Sequence, residues 1–248
     1  MSAPIAVAGL SHRFEALPVV QDVTFTVAPG EICALIGPTG CGKSTVLRVL
    51  AGLLVPTAGF ATIDGTSTVG RPGLAAYMPQ SDTLLPWRRA LANATLGAEL
   101  AGTDREVARR NARRLFARFG LSGFEEYWPS RLSGGMRQRV ALLRTVLTGR
   151  SAILLDEPFG ALDAITRSDL QGWLDDLLRH EERTTLLVTH DVDEALRLSD
   201  RILVLSARPG RVVDDVAVPG ERPRDPMRLT DQDFAIVKRR VLEGLRPS

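Results

Sequence analysis

Short apolar runs separated by glycine and proline dominate the first third of the chain. Residues 5–10, 19–27 and 31–36 predict strands, with Pro29-Gly30 turning the chain between the last two. A helix follows over residues 46–54, where Pro56 and Gly59 stop it, and short strands come next at 60–63 and 74–78. Then the period changes. Residues 90–120 read as helix, and Val107, Ala108, Ala112, Leu115, Phe116 and Phe119 fall at helical spacing. Strands return at 152–155, 185–189 and 201–205. Between them lie helical stretches, one carrying Leu170, Trp173, Leu174, Leu177 and Leu178 and another over 191–198. Apolar strands alternating with helices predict an α/β fold. After Pro209-Gly210, residues 211–218 suit a last hairpin strand. Prolines 219, 223 and 226 then break the pattern before a terminal helix at 234–245.

Composition narrows the class. The 248 residues suffice for one domain, or one domain with a subdomain. A net charge of +2, from 31 basic and 29 acidic residues, gives no global field of the kind nucleic-acid binders carry. Arginines 105, 109, 110, 113, 114 and 118 do cover one helical face. Such a face suits nucleic acid or anionic lipid, but near-balanced charge favours a solvated face. No apolar segment approaches the roughly 18–20 residues that span a bilayer, and the start at Met1 lacks a signal peptide's basic and apolar blocks. Two cysteines, Cys33 and Cys41, and three scattered histidines support neither a disulfide framework nor a zinc site. The expectation is a soluble, cytoplasmic protein.

The strongest chemical signal is Gly37, Pro38, Thr39, Gly40, Cys41, Gly42, Lys43, Ser44 and Thr45, set between an apolar strand and an apolar helix. Glycines let the backbone turn its N–H groups towards an anion at the helix start. Lys43 can reach terminal phosphates, and the Ser44 hydroxyl can ligate Mg²⁺. The chain has only two lysines, Lys43 and Lys238, and one stands where this pattern needs it. This marks a nucleotide site. Asp156 and Glu157 end a buried strand, where one carboxylate can hold Mg²⁺ through its water shell and the other can deprotonate an attacking water. His190 ends another strand on the same sheet edge, and Gln80 follows a third. Phe14, in a polar link after the first strand, suits either a nucleobase or the edge of the core. Ser133, Gly134 and Gly135 form a second loop-to-helix junction, either an ordinary cap or a second phosphate contact. Leu84, Leu85, Pro86 and Trp87 suit the core or an exposed partner patch, the patch being the preferred reading.

In order, these motifs resemble ATP-binding cassette ATPases over nearly the full length. Residues 37–45 look like the Walker A loop, Gln80 the Q-loop glutamine and residues 132–138 the signature motif. Residues 153–157 look like Walker B, Ala161, Leu162 and Asp163 the D-loop, and His190 the switch histidine. Phe14 matches the family's adenine-stacking aromatic. One departure is Met136, where the family's signature usually has glutamine. Residues 84–87 with Asn93, and 206–211, resemble the nitrate/sulfonate/taurine importer branch, which includes importers of thiamine pyrimidine precursors.

The resemblance implies a P-loop NTPase (RecA-like) core with an antiparallel β subdomain and an inserted α-helical subdomain. The core with its β subdomain is assigned to residues 1–84 and 150–218, the helical subdomain to 85–149 and a C-terminal extension to 219–248. It implies a homodimer closing around ATP and Mg²⁺, with catalytic Glu157, His190, Lys43 and Gln80. The metal would sit on Ser44, Gln80 and Asp156. Nucleotide would contact Phe14, residues 37–45, Asp163 and, across the dimer, Ser133, Gly134 and Gly135. Implied partners are a membrane permease touching Leu84, Leu85 and Trp87 and an extracytoplasmic solute-binding protein, with no nucleic acid. The location would be the cytoplasmic face of the membrane. A chromosome or DNA-repair ATPase shares these motifs but carries long arms where this chain has about 50 residues.

Overall fold

The computed structural model describes residues 2–160 and 162–246. The strands are β1 (Ile5–Phe14), β2 (Leu17–Val27), β3 (Ile32–Ile36), β4 (Ala58–Ile63), β5 (Thr66–Ser67), β6 (Ala76–Met78), β7 (Ala152–Asp156), β8 (Thr184–Val188), β9 (Arg201–Leu205) and β10 (Val212–Ala217). The helices are α1 (Lys43–Leu50), α2 (Ala90–Leu100), α3 (Arg105–Arg118), α4 (Gly134–Val146), α5 (Ala164–His180), α6 (Val192–Leu198) and α7 (Gln232–Gly244). Strands β2-β1-β4-β5 form an antiparallel sheet, and β10-β9-β3-β8-β7-β6 form the central one. Five neighbours there, β9, β3, β8, β7 and β6, run parallel, so every loop leaving their carboxyl ends meets at one edge.

Why the central strands are apolar throughout is visible in their packing. All five residues of β3, of β7 and of β8 are buried. Alternate side chains point to opposite faces. Cys33 and Leu35 join Val46, Val49 and Leu50 of α1 and the antiparallel sheet in one cluster. Ile153, Leu155 and Leu187 join α5 and the residues of α2 to α4 in a second. Ala34 and Ile36 pack with α6 and with Phe234 and Val241 of α7 in a third.

Several boundaries differ from those expected. Strand β1 runs four residues further and ends on Phe14, so that ring is a strand residue rather than part of a polar link. Helix α1 stops at Leu50 because Gly52, at φ +75°, lets Gly52 and Leu53 turn their N–H groups back onto Val49 and Arg48. The helix expected over 90–120 is two helices. Gly102 adopts φ +91°, and the Asp104 carboxylate caps α3 by accepting from the N–H groups of Glu106 and Val107 at 3.0 and 3.1 Å. Helix α5 starts at Ala164, capped by Asp163; Ala161, expected in the turn before it, lies outside the described residues. Among the described residues no helix is long and apolar enough to cross a membrane.

Candidate functional site

Strand β3 drives the chain into the 37–42 loop at the carboxyl edge, and α1 begins at Lys43. The loop needs its glycines for stated reasons. Gly42, the residue capping α1, sits at φ +105°, where a Cβ would lie 2.4 Å from Val20 Cγ1. At Gly37 a Cβ would lie 2.7 Å from Cys41 Sγ. Lys43 Nζ donates to the carbonyls of Gly37 at 2.7 Å and Pro38 at 3.0 Å, with a longer contact of 4.0 Å to Cys41 Sγ, so the ammonium is held at the floor of the loop.

This loop floors an open cavity of about 370 Å³. Thr39, Gly40, Gly42, Lys43, Ser44 and Thr45 line its centre. At one end stand Phe14 and Leu17, paired across the β1–β2 hairpin and 45% and 49% exposed, which is a ledge for a flat apolar group rather than core. His12 steadies the Phe14 ring edge to face at 4.6 Å. Gln80 and Glu157 line the cavity as well. Cys41 and Cys33 are buried and free, and burial pushes both thiols up, so neither is a reactive nucleophile.

Glu157 is held unusually. It lies at φ +49°, its N–H donates to the Val188 carbonyl at 2.8 Å, and its carbonyl accepts from Gln138 Nε2 and from the Gly160 N–H. Strained backbone of this kind persists where surroundings over-determine it. Its Oε2 accepts from Gln80 Nε2 at 3.1 Å and lies 3.4 Å from His190 Nδ1. Three residues expected to act together, from the ends of β6, β7 and β8, are thus joined through one carboxylate oxygen.

Next to it, Asp156 Oδ1 is buried without a partner, and burial raises its carboxyl against the opposing Ser44 hydroxyl bond. A sealed carboxylate oxygen beside a hydroxyl, at the strand edge where Gln80 and Ser44 line one cavity, fits a hard cation. Mg²⁺ characteristically takes one or two carboxylates and fills its octahedron with water and phosphate oxygens. Among the described residues no cluster of three His, Cys, Asp or Glu forms a self-sufficient metal cage.

Other expected residues lie apart from this cavity. Ser133 Oγ caps α4 by accepting from the Met136 N–H at 3.2 Å, and neither it nor Gly134 nor Gly135 lines the cavity. Asp163 accepts from the Thr166 N–H at 3.0 Å and caps α5. The apolar loop divides. Leu84 is buried in the core with α2 and α4, which corrects its expected place in an exposed patch, whereas Trp87 is 70% exposed. Leu84 belongs inside because Asn93 folds the loop back, its Oδ1 accepting from the Leu85 N–H and its Nδ2 donating to the Leu85 and Arg88 carbonyls.

Two contributors went unrecognised as site residues. Arg208 lines the cavity and donates Nε to the Gly40 carbonyl at 3.1 Å, and Gln138 steadies the Glu157 backbone. The first had a usable signal: it follows β9, whose carboxyl end opens on the same edge as Lys43.

Known proteins resemble this chain in sequence and in fold. The family described as ABC transporter matches residues 20–160. An aliphatic sulfonates import ATP-binding protein of Rhodococcus jostii (strain RHA1) is 45% identical over 96% of this chain and 91% of its own. A taurine import ATP-binding protein of Yersinia pestis bv. Antiqua (strain Antiqua) is 39% identical over 94% and 93%. A solved dimeric structure, a post-hydrolysis state of the ATP-binding cassette MJ0796 bound to ADP and Pi, superposes with a TM-score of 0.78. It has 26% identity and covers 88% of this chain and 100% of that one.

Proposed function

The chain belongs to the ABC transporter ATPase family, and on that premise we propose that it powers uptake of a small sulfonate through a membrane permease. The observation that carries the hydrolytic part is the cavity itself, with an apolar ledge, a phosphate-cradling loop and Glu157 lining one space. The cargo class is supported by the two relatives' names, both importers of sulfonates, which also favours transport over chromosome maintenance.

In this reading adenine stacks on Phe14, and the amides of residues 37–45 with Lys43 hold the β- and γ-phosphates. Ser44, Asp156 and Gln80 would hold Mg²⁺, which when bound neutralises charge on the phosphate oxygens. Glu157 orients a water, takes its proton as oxygen attacks the γ-phosphorus, and the bond to ADP breaks to leave ADP and phosphate. His190 steadies the γ-phosphate beside it. The remaining face of that phosphate needs donors this cavity lacks. The start of α4, with the Gly134 and Gly135 amides and no acidic residue in its first turn, supplies them to a second copy. Two copies, each completing the other's site, therefore enclose two nucleotides.

Residues 1–84 with 150–218 act here as the hydrolytic core, and 85–149 carry the α4 contact. The described part of the 219–248 extension packs on the core through Phe234, Val241 and Arg222. The permease is assigned to the exposed Trp87 and to the open groove lined by Pro79 and Thr83 after β6 and by residues of α2 and α4, where Leu100 is 80% exposed. In this reading the protein works at the cytoplasmic face of the membrane, and an extracytoplasmic solute-binding protein delivers the cargo.

Cells lacking the chain should lose uptake of labelled taurine and short alkanesulfonates and regain it on re-expression. Uptake indifferent to its loss refutes the cargo assignment. Trp87→Ala should leave the isolated ATPase rate within about twofold yet lower uptake about tenfold or more, as truncation of an interface anchor does. Unimpaired uptake would remove Trp87 from the permease contact.

A further inference from the structure

A second, smaller cavity of about 40 Å³ is lined by Glu157 and His190 together with Arg167, Thr189, Asp191 and Glu194. The hydrolysis described above uses none of the last four. Glu194 is only 6% exposed, and its Oε1 is sealed from solvent without a hydrogen-bond partner. Arg167 Nε, on the same cavity, is sealed and unpartnered too. An unmet buried polar atom costs about 1–3 kcal/mol. A polar void needs only roughly 10–15 Å³ to admit a water, so the cavity that both residues line has room for one.

Each residue is also tied to a different loop. Arg167, near the start of α5, donates Nη2 to the Leu162 carbonyl at 3.0 Å and brings Nη1 to 3.7 Å from Asp191 Oδ2. Glu194, in the first turn of α6, accepts from Gln171 Nε2 at 3.3 Å and has the Thr189 hydroxyl beside it on the cavity, lowering its carboxyl. Arg197 fixes Gln171 in turn, donating to its Oε1 at 3.0 Å. Thr189 and Asp191 are the two chain neighbours of His190. Both ends of the turn that presents His190 to Glu157 are therefore gripped, one through Arg167 and the other through Glu194.

We propose that Arg167 and Glu194 are positioning residues for ATP hydrolysis: bridged by water in this cavity, they clamp residues 189–191 to the start of α5 and hold His190 against Glu157. The clamp also links His190 to the Leu162–Asp163 turn through the carbonyl that Arg167 holds. The inference rests on the assignment of Glu157 and His190 to hydrolysis.

Burial pushes the Glu194 carboxyl up to about 7, with the Thr189 hydroxyl and Arg167 lowering it and Asp191 raising it. The charged or titratable groups facing it are Arg167 from α5, Asp191 at the α6 cap, and His190 and Glu157 across the cavity. The clamp needs the carboxylate, so turnover falls as pH drops through about 7. Folding responds in the opposite sense. A carboxyl raised by burial favours the folded state when neutral, so acidification does not lower stability on its account.

The test measures kcat and KM for ATP between about pH 6 and 9 on the full chain as wild type, Glu194→Gln, Arg167→Gln and the double variant. Glu194→Gln should lose about tenfold in kcat at alkaline pH, with KM within about twofold and a Tm equal to or above wild type. The acid limb near pH 7 should vanish, and the double variant should be no worse than the poorer single. A retained acid limb, additive losses, or a KM that rises as kcat falls overturns the proposal. Should Glu194→Gln not fold, Thr189→Val removes only the hydroxyl, and it must show the same loss confined to kcat; full turnover there overturns the clamp equally. Glu157→Gln, run alongside, separates the two levels. Turnover surviving in that variant refutes the hydrolytic assignment, whereas turnover lost there and kept in Glu194→Gln refutes the clamp alone.

Discussion

Replacing Glu157 by glutamine is expected to lower ATP turnover by about two to four orders of magnitude, the usual range for removing a positioned general base. Nucleotide should still bind. The loop residues 37–45 lie outside the change, and a glutamine oxygen can still accept the 3.1 Å hydrogen bond from Gln80 Nε2. What is lost is the proton acceptor, so the ATP-bound state lasts. If the start of α4 from a second copy completes the phosphate shell, that state is a dimer, visible by size exclusion in saturating ATP and absent in ADP. Two results carry separate weight. Unchanged turnover would remove Glu157 from the base role, and a variant that binds ATP yet stays monomeric would refute the opposed-chain arrangement.

The site was legible where chemistry and backbone geometry demand the same residues. A loop that must present amides to an anion needs glycine at φ +105°, so residue 42 announces both the turn and its purpose. Buried parallel strands need unbroken apolar runs, so β3, β7 and β8 stand out, and whatever follows them shares one edge. Legibility fails where one side chain serves a neighbour far along the chain. Leu84 looks as exposed as Trp87 in sequence, and only the Asn93 bonds that fold the loop decide that one is core and the other surface. The break between α2 and α3 was readable in principle from Gly102 and Asp104, but apolar spacing runs through it. Arg208 was readable only by its place after β9, on the edge that carries Lys43, while its bond to Gly40 and the Arg167–Glu194 cavity had no comparable local signal. Their meaning comes from distances across 168 and 27 residues of chain, and periodicity is silent on such separations.

The largest expected loss of stability lies outside the nucleotide cavity, at Arg222. Its Nη1 donates to Asp175 Oδ1 at 2.6 Å, and Nε and Nη2 donate to the two oxygens of Asp200 at 2.8 and 3.1 Å. Asp200 Oδ2 in turn accepts from the Ile32 N–H, the first residue of β3, so the C-terminal segment is tied to the strand that feeds the phosphate loop. The side chains of Arg222 and Asp175 are 9% and 3% exposed. Arg222→Ala therefore leaves a buried carboxylate without its counter-charge, at a cost of about 3–5 kcal/mol. For a chain of this length that corresponds to a Tm lower by roughly 10 °C. The pH dependence identifies the cause. Burial already raises the Asp175 carboxyl despite the Arg222 bond and charge, and deleting Arg222 removes the largest opposing contribution. A carboxyl raised in the folded state destabilises it only when ionised, so the deficit should be full at alkaline pH and shrink as acid protonates Asp175. Thermal unfolding at about pH 8 and pH 5 measures this, and adding Asp175→Asn should restore most of the lost Tm at the higher pH. A deficit under about 1 kcal/mol, or one that ignores both pH and the second substitution, would mean that the buried charge is not what Arg222 holds in place.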